Sequence, residues 1–163
     1  MLRKHGGKNQ YHKEVWGYNT RLDAIQAAIL RVKLPYVDKY NENRRENARR
    51  YNDLLDDIDG IETPEYTKSH VFHQYTIRVK SDQRDYLKSN LSDREIGNKV
   101  YYPVPCHQLP VYDDHQVDAP EAEKAAQEVL SLPMWPQMSF SVQERVAAAV
   151  DRVLSSRKVD SAG

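Results

Sequence analysis

Little in this chain of 163 residues is built for a secreted, fibrous or membrane-spanning life. A single cysteine, Cys106, excludes an intrachain disulfide and fits a reducing cytoplasm. No apolar run approaches the roughly 20 residues needed to cross a bilayer. The opening Met-Leu-Arg-Lys-His-Gly-Gly-Lys lacks the apolar stretch of a signal peptide. Charge of one sign is also missing: 24 basic side chains meet 24 acidic ones, so no basic footprint for nucleic acid or an anionic membrane exists. Metal-ligand spacing is absent too, since His5 and His12 stand seven apart with no carboxylate or cysteine pattern around them. No Gly-x-Gly-x-x-Gly follows a strand pattern, which excludes a dinucleotide crevice of the usual kind.

What is present is periodicity. Thr20 and Asp23 have the spacing of a capping box, and Leu22, Ile25, Ile29 and Val32 then recur at three and four, predicting a helix with one buried face. Pro35 must break or kink it. A second helical pattern through Val37, Tyr40, Ala48, Tyr51, Leu54 or Leu55 and Ile58 ends at Gly60, with Asn41 to Asn47 read as its solvated face. Val71 to Val79 alternates with period two and predicts a strand. A short helix is expected over Arg84–Leu91, and a second strand over Lys99–Tyr102, ended by Pro103 and Pro105. Residues 103–119 form a loop holding His107, Tyr112 and His115. Pro120 can start a helix reaching about Val129, and Leu132 to Pro136 reads as a short extended piece. Ser141 and Glu144 suggest another capping box for a last helix striped by Val142, Val146, Val150 and Val153, before a disordered tail. This order of elements predicts a small sheet with helices packed on one side, a two-layer α/β or α+β module. Eleven tyrosines against two phenylalanines suit half-buried surfaces where a ring is covered and its hydroxyl wet.

The chemistry-bearing residues cluster in two places. The helix start after Gly17-Tyr18-Asn19-Thr20-Arg21 gathers backbone N–H groups, the Asn19 amide and the Arg21 guanidinium, a combination suited to a phosphate as well as to an ordinary cap. The loop Tyr101-Tyr102-Pro103-Val104-Pro105-Cys106-His107 sets an imidazole between prolines, either as a ligand group or as a loop histidine satisfied locally. Cys106 beside His107 reads as a plain loop thiol rather than a nucleophile, and His73 as a sheet residue.

Six segments in order resemble one family: Leu2-Arg3-Lys4-His5-Gly6, Gly17 to Leu22, His70-Val71-Phe72-His73-Gln74-Tyr75, Ile96-Gly97, Tyr101 to His107, and Leu130-Ser131-Leu132-Pro133-Met134-Trp135-Pro136. Together they resemble the C-terminal part of the DegT/DnrJ/StrS-type sugar-nucleotide aminotransferases, pyridoxal phosphate (PLP) enzymes of fold type I. The resemblance implies the small C-terminal domain of that fold preceded by a long linking helix, divided as an arm over residues 1–16, a kinked linking helix over 17–60, a small α/β domain over 61–155 and a disordered tail over 156–163. It implies that Asn19, helped by Arg21, reaches the PLP phosphate of the other subunit in a homodimer, and that His107 and Tyr102 line the entrance for a keto-sugar nucleotide aminated from glutamate. Many relatives carry His where this chain has Tyr101. The family's reactive lysine lies upstream, before a Gly-Glu-Gly-Gly run that is not found here, and none of the eleven lysines stands in such a context. The chain by itself is therefore not expected to transaminate. It reads as the C-terminal portion of such an enzyme, as half of a split enzyme whose partner chain supplies the large domain, or as a non-enzymatic dimerisation or nucleotide-sugar-binding module. A dehydratase branch of the family, with histidine in place of the lysine, stays open for the same reason.

Overall fold

A computed structural model describes residues 5–8, 12, 14–18, 20, 22–112 and 117–161. The chain divides into two units, Met1–Asp38 and Lys39–Gly163.

In the first unit, residues 5–8 and 14–18 close a loop. The His5 N–H donates to the Tyr18 carbonyl at 3.0 Å, and the Glu14 and Val15 N–H groups both donate to the Gly6 carbonyl, at 2.9 and 3.2 Å. Glycine is required at the crossing: Gly6 sits at φ +77°, and a Cβ on Gly17 would stand 2.1 Å from the Gly6 nitrogen. Helix α1 follows over Ala24–Lys33, and a single 3₁₀ turn over Leu34–Tyr36 accommodates Pro35. The helix therefore begins later than the sequence suggests. Asp23 is its N-cap residue and makes no side-chain capping bond, so the Thr20–Asp23 box does not form. The apolar stripe differs as well. No residue of α1 is buried, and Leu22, Ile25, Ile29 and Val32 are all exposed, Ile25 to 77%.

Helix α2 spans Val37–Leu55, and its part beyond Asp38 opens the second unit. Ala48, Tyr51 and Leu55 bury one face, and so does Asn47, which the sequence placed on the solvated side. The reason is a polar clasp: Asn47 Nδ2 donates to the Trp135 carbonyl at 3.0 Å, while Gln143 Nε2 donates to the Asn47 carbonyl at 2.7 Å. Buried amides are tolerated where their hydrogen bonds are made, and here both amide nitrogens donate while Gln143 Oε1 is buried without a partner among the described residues.

The sheet is antiparallel, ordered β1 (Ile61–Glu62), β2 (Tyr75–Val79), β3 (Val129–Leu132). Its register pairs Ile61 with Val79, Tyr75 with Leu132 and Ile77 with Leu130. One face carries Tyr75, Ile77, Val79, Leu130 and Leu132 into the core, where they meet Tyr51, Leu55, Leu87, Leu91, Val146 and Val150 from the helices. The other face carries Thr76, Arg78 and Ser131. There the Thr76 and Ser131 hydroxyls lie 2.7 Å apart, and Arg78 pairs with Glu128 at 2.8 Å.

β2 starts four residues later than its alternation predicts. Phe72 is buried at φ +47°, a conformation that turns the chain out of the extended region, and its N–H donates to His70 Nδ1 at 3.0 Å. Beyond the turn, Tyr66 stacks on the Phe72 ring at 5.7 Å. Lys99–Tyr102 does not become a full strand either, contributing only a bridge between Lys99 and Ser131. Helix α3 covers Ser81–Asp93 and packs on α4, Pro120–Glu128, and on α5, Phe140–Ser161. α5 starts at Phe140, so Ser141 lies inside its first turn rather than capping it, and it continues to Ser161 into the stretch expected as tail. The sheet with helices on its apolar face is the two-layer arrangement the sequence predicts, as a mixed α+β domain.

Candidate functional site

The loop after residue 100 is shaped by its prolines. Pro105 sits at φ −60°, ψ 147°, and the chain then makes two 3₁₀ turns, Cys106–Gln108 and Pro110–Tyr112. The first turn drives His107 inward, leaving 15% of its side chain exposed. Its Nε2 lies 3.0 Å from Oε1 of Glu123 in the first turn of α4. Pro120 at the start of α4 fixes that turn, and Glu121 and Glu123 suit the positive end of the helix. His107 is thus satisfied by a carboxylate sixteen residues away, a partner the sequence did not single out. Acidic residues behind Pro120 were visible, but the only sequence cue was their fit to a helix start.

Tyr102 is 71% exposed. Tyr101 is exposed too, with the Lys99 ammonium 5.4 Å from its ring centroid. Beside them, a cleft is lined by His73, Gln74, Asn98, Lys99, Tyr101 and Ser131, among others. The left-handed turn at Phe72 brings His73 and Gln74 to this cleft rather than into the sheet. Gly97 and Asn98 arrive from the exit of α3, where Asn98 Nδ2 donates to the Ile96 carbonyl at 3.0 Å and its Oδ1 is buried without a partner. Cys106 is an exposed free thiol.

Asn19, Arg21 and His115 lie outside the described residues. The helix start near the first two is described. The Asp23 carbonyl receives the Ala27 N–H at 2.8 Å, and Asp23, the N-cap residue of α1, makes no side-chain capping bond. Among the described residues, no cluster of three or more His, Cys, Asp or Glu is set to hold a metal, and no helix is long and apolar enough to cross a membrane.

A family model for the DegT/DnrJ/EryC1/StrS aminotransferase family matches residues 1–151. The chain belongs to this family. Among relatives, the pleiotropic regulatory protein of Geobacillus stearothermophilus is 44% identical over 157 residues, covering 92% of this chain and 42% of its own length. A UDP-N-acetyl-3-dehydro-α-D-glucosamine 3-aminotransferase from Acidithiobacillus ferrooxidans is 40% identical over 156 residues, covering 94% and 42%. The crystal structure of S. venezuelae DesV in complex with a ketimine intermediate superposes with a TM-score of 0.85 at 36% identity, covering 94% of this chain and 42% of that one. NtdA of Bacillus subtilis with bound cofactor PMP gives 0.84 at 29% identity, covering 94% and 38%. The sequence resemblance and the fold-type I small-domain architecture are therefore those of the family. The chain spans about two-fifths of the length of these relatives.

A DegT-type aminotransferase uses PLP, and the described residues fit that group only in part. A helix start whose N-cap residue makes no side-chain capping bond suits its phosphate. A lysine that works at neutral pH must be buried or stand beside other cations. The described lysines do not meet that condition where their partners are visible: Lys8 pairs with Glu14 at 3.1 Å, Lys80 with Asp59 at 3.7 Å, and all four groups are largely exposed.

Proposed function

We propose that this chain is the C-terminal portion of a PLP-dependent aminotransferase acting on keto-sugar nucleotides, and that it is not catalytic alone. The observation that carries the reading is the family match over residues 1–151 by a chain only about 42% as long as its relatives. Several relatives named for an activity are aminotransferases of sugars carried on UDP or dTDP, which supports the substrate class, while another is a 3-oxo-glucose-6-phosphate:glutamate aminotransferase. PLP, when bound, supplies the electron sink for amino transfer, and the lysine that holds its aldehyde belongs to residues outside these 163.

In this reading, residues 1–16 are an arm of the large domain, residues 17–60 the linking helix, kinked at Pro35, and residues 61–155 the small domain. Asn19 and Arg21 meet the cofactor phosphate across a homodimer. His107 and Tyr102 form the wall where the nucleotide sugar enters, Tyr102 offering an exposed ring and hydroxyl and His107 a held imidazole. The unburied apolar face of α1 supports the same picture. A ten-residue helix with Ile25, Ile29 and Val32 bare, and Leu22 bare just before it, has its hydrophobic stripe but no core to put it in. A self-sufficient module would bury that stripe itself or by self-association.

The test is covalent trapping. The purified chain, mixed with PLP and reduced with borohydride, should yield no single lysine labelled to stoichiometry. One lysine trapped in full would overturn the claim that the reactive lysine lies elsewhere. Intact mass of the native product in its source cell decides between the remaining readings: a species well above 19.0 kDa supports the longer enzyme, and one at 19.0 kDa supports a split enzyme or a free-standing module.

A further inference from the structure

We propose that His70 is a positioning residue for the cleft lined by Lys99 and Tyr101, whichever ligand that cleft takes. Its Nδ1 holds the left-handed turn at Phe72, and the turn sets His73 and Gln74 on the cleft wall. A phenylalanine at φ +47° is strained, and such strain persists only where the surroundings impose it. Here the Phe72 N–H donates to His70 Nδ1 at 3.0 Å. The same imidazole meets the Phe72 ring edge-on, with centroids 4.3 Å apart. One side chain thus engages both the backbone and the ring of the strained residue. His70 is itself anchored. Its N–H donates to the Thr67 carbonyl at 3.2 Å, and its carbonyl accepts from Arg45 Nε of α2 at 3.2 Å. The placement of His73 and Gln74 therefore traces back through Phe72 and His70 to a helix of the core.

Asparagine commonly holds a turn by accepting, on Oδ1, the N–H two residues on. Nδ1 of histidine stands as many bonds from the backbone as Oδ1 of asparagine, so the imidazole closes an equivalent turn. The bond also fixes the state of the ring, because a nitrogen that accepts carries no hydrogen. Nδ1 is bare, the single ring proton sits on Nε2, and a doubly protonated ring has no acceptor to offer. From α2 the charged neighbours are Arg45, itself paired with Glu42 at 2.8 Å, and Arg49, which lies over the Tyr66 ring stacked on Phe72.

NMR of the ¹⁵N-labelled full chain tests this. With the ring neutral, the unsubstituted chain should show His70 as the Nε2–H tautomer and a scalar coupling between the Phe72 amide nitrogen and His70 Nδ1. Phe72 should also show the strong contact between amide and α protons that marks a left-handed residue, and lose it in step with protonation of the His70 ring. His70→Asn should keep that signature and the amide shifts of His73 and Gln74. His70→Ala should lose the signature, move both amides and speed hydrogen exchange at the Phe72 amide by about tenfold, while the Tyr51 and Tyr75 signals of the core stay in place. A left-handed Phe72 retained in His70→Ala, or with the ring fully protonated, overturns the proposal. So does an asparagine variant that behaves like the alanine one. Should His70→Ala fail to fold, the unsubstituted chain decides: an Nδ1–H tautomer, or no coupling to Nδ1, overturns the proposal as well.

Discussion

Raising the pH should unfold this domain through two buried tyrosines. Tyr51 and Tyr75 are fully buried, and their rings stack at 4.8 Å with 29° between planes. Each hydroxyl donates a hydrogen bond, Tyr51 to the Pro133 carbonyl at 3.1 Å and Tyr75 to Asn52 Oδ1 at 2.7 Å. Ionisation removes the donated proton and sets a phenolate against an oxygen in a buried site. Burial accordingly pushes both hydroxyls well above the value of 10.0 they have when exposed. The folded state therefore holds these protons more tightly than the unfolded chain. Their contribution is fully present below about pH 10 and is lost as the pH climbs from there toward the folded values. Each tyrosine gives up about 1 kcal/mol over the first unit above pH 10, so the pair removes roughly 2 kcal/mol between pH 10 and about pH 11. That is a large share of the stability of a domain worth about 5–15 kcal/mol. Urea unfolding followed by circular dichroism across this range measures the slope. The variants Tyr51→Phe and Tyr75→Phe, less stable at neutral pH, should each flatten it. Parallel curves for the three proteins would refute the reasoning, as would tyrosinate absorbance of both buried rings appearing before any unfolding.

Three further outcomes are expected. Asn47→Leu strands the Trp135 carbonyl and disturbs the bond from Gln143, and should cost about 2 kcal/mol in denaturant unfolding; a change within error would mean that water replaces the amide. Ile25→Lys with Ile29→Lys should move stability by less than about 0.5 kcal/mol, because neither side chain is buried, yet lower the tendency of the chain to associate in light scattering. Gly60→Ala should destabilise by about 1 kcal/mol by thermal unfolding, since Gly60 sits at φ +92° and a new Cβ would come within 3.1 Å of Gln83 Oε1.

How much of this was legible depends on how local the cause was. α4 could be read from Pro120 and α5 from its valine spacing, because helices declare themselves within a few residues. The β2 pattern was right from Tyr75 onward and wrong before it. Alternation in Val71–Gln74 is indistinguishable from a strand until one knows that Phe72 turns left-handed to stack on Tyr66 and pack against His70. β1 is two residues long and carries no periodicity to detect. Asn47 looked solvated because its neighbours are, and its true partners lie 88 and 96 residues away. The candidate site divides the same way. The motif drew attention to His107 and Tyr102, whereas Glu123 joins His107 only once the loop and α4 are folded. The stripe of α1 was read correctly as a helix and wrongly as buried, since amphipathic spacing specifies a face and not what covers it.

The clasp between α2 and α5 has a kinetic side. Gln143 reaches back across 96 residues to Asn47, so the first and last helices of the domain are secured by the same bond. A contact of that span forms late, after the chain has surrendered the freedom of nearly everything between. On the ribosome, the Asn47 carbonyl of α2 must wait for its Gln143 partner until the start of the last helix has emerged. A chain ending before Gln143 would lose this bond, and the loss would be felt at the opposite end of the domain, as fraying of α2.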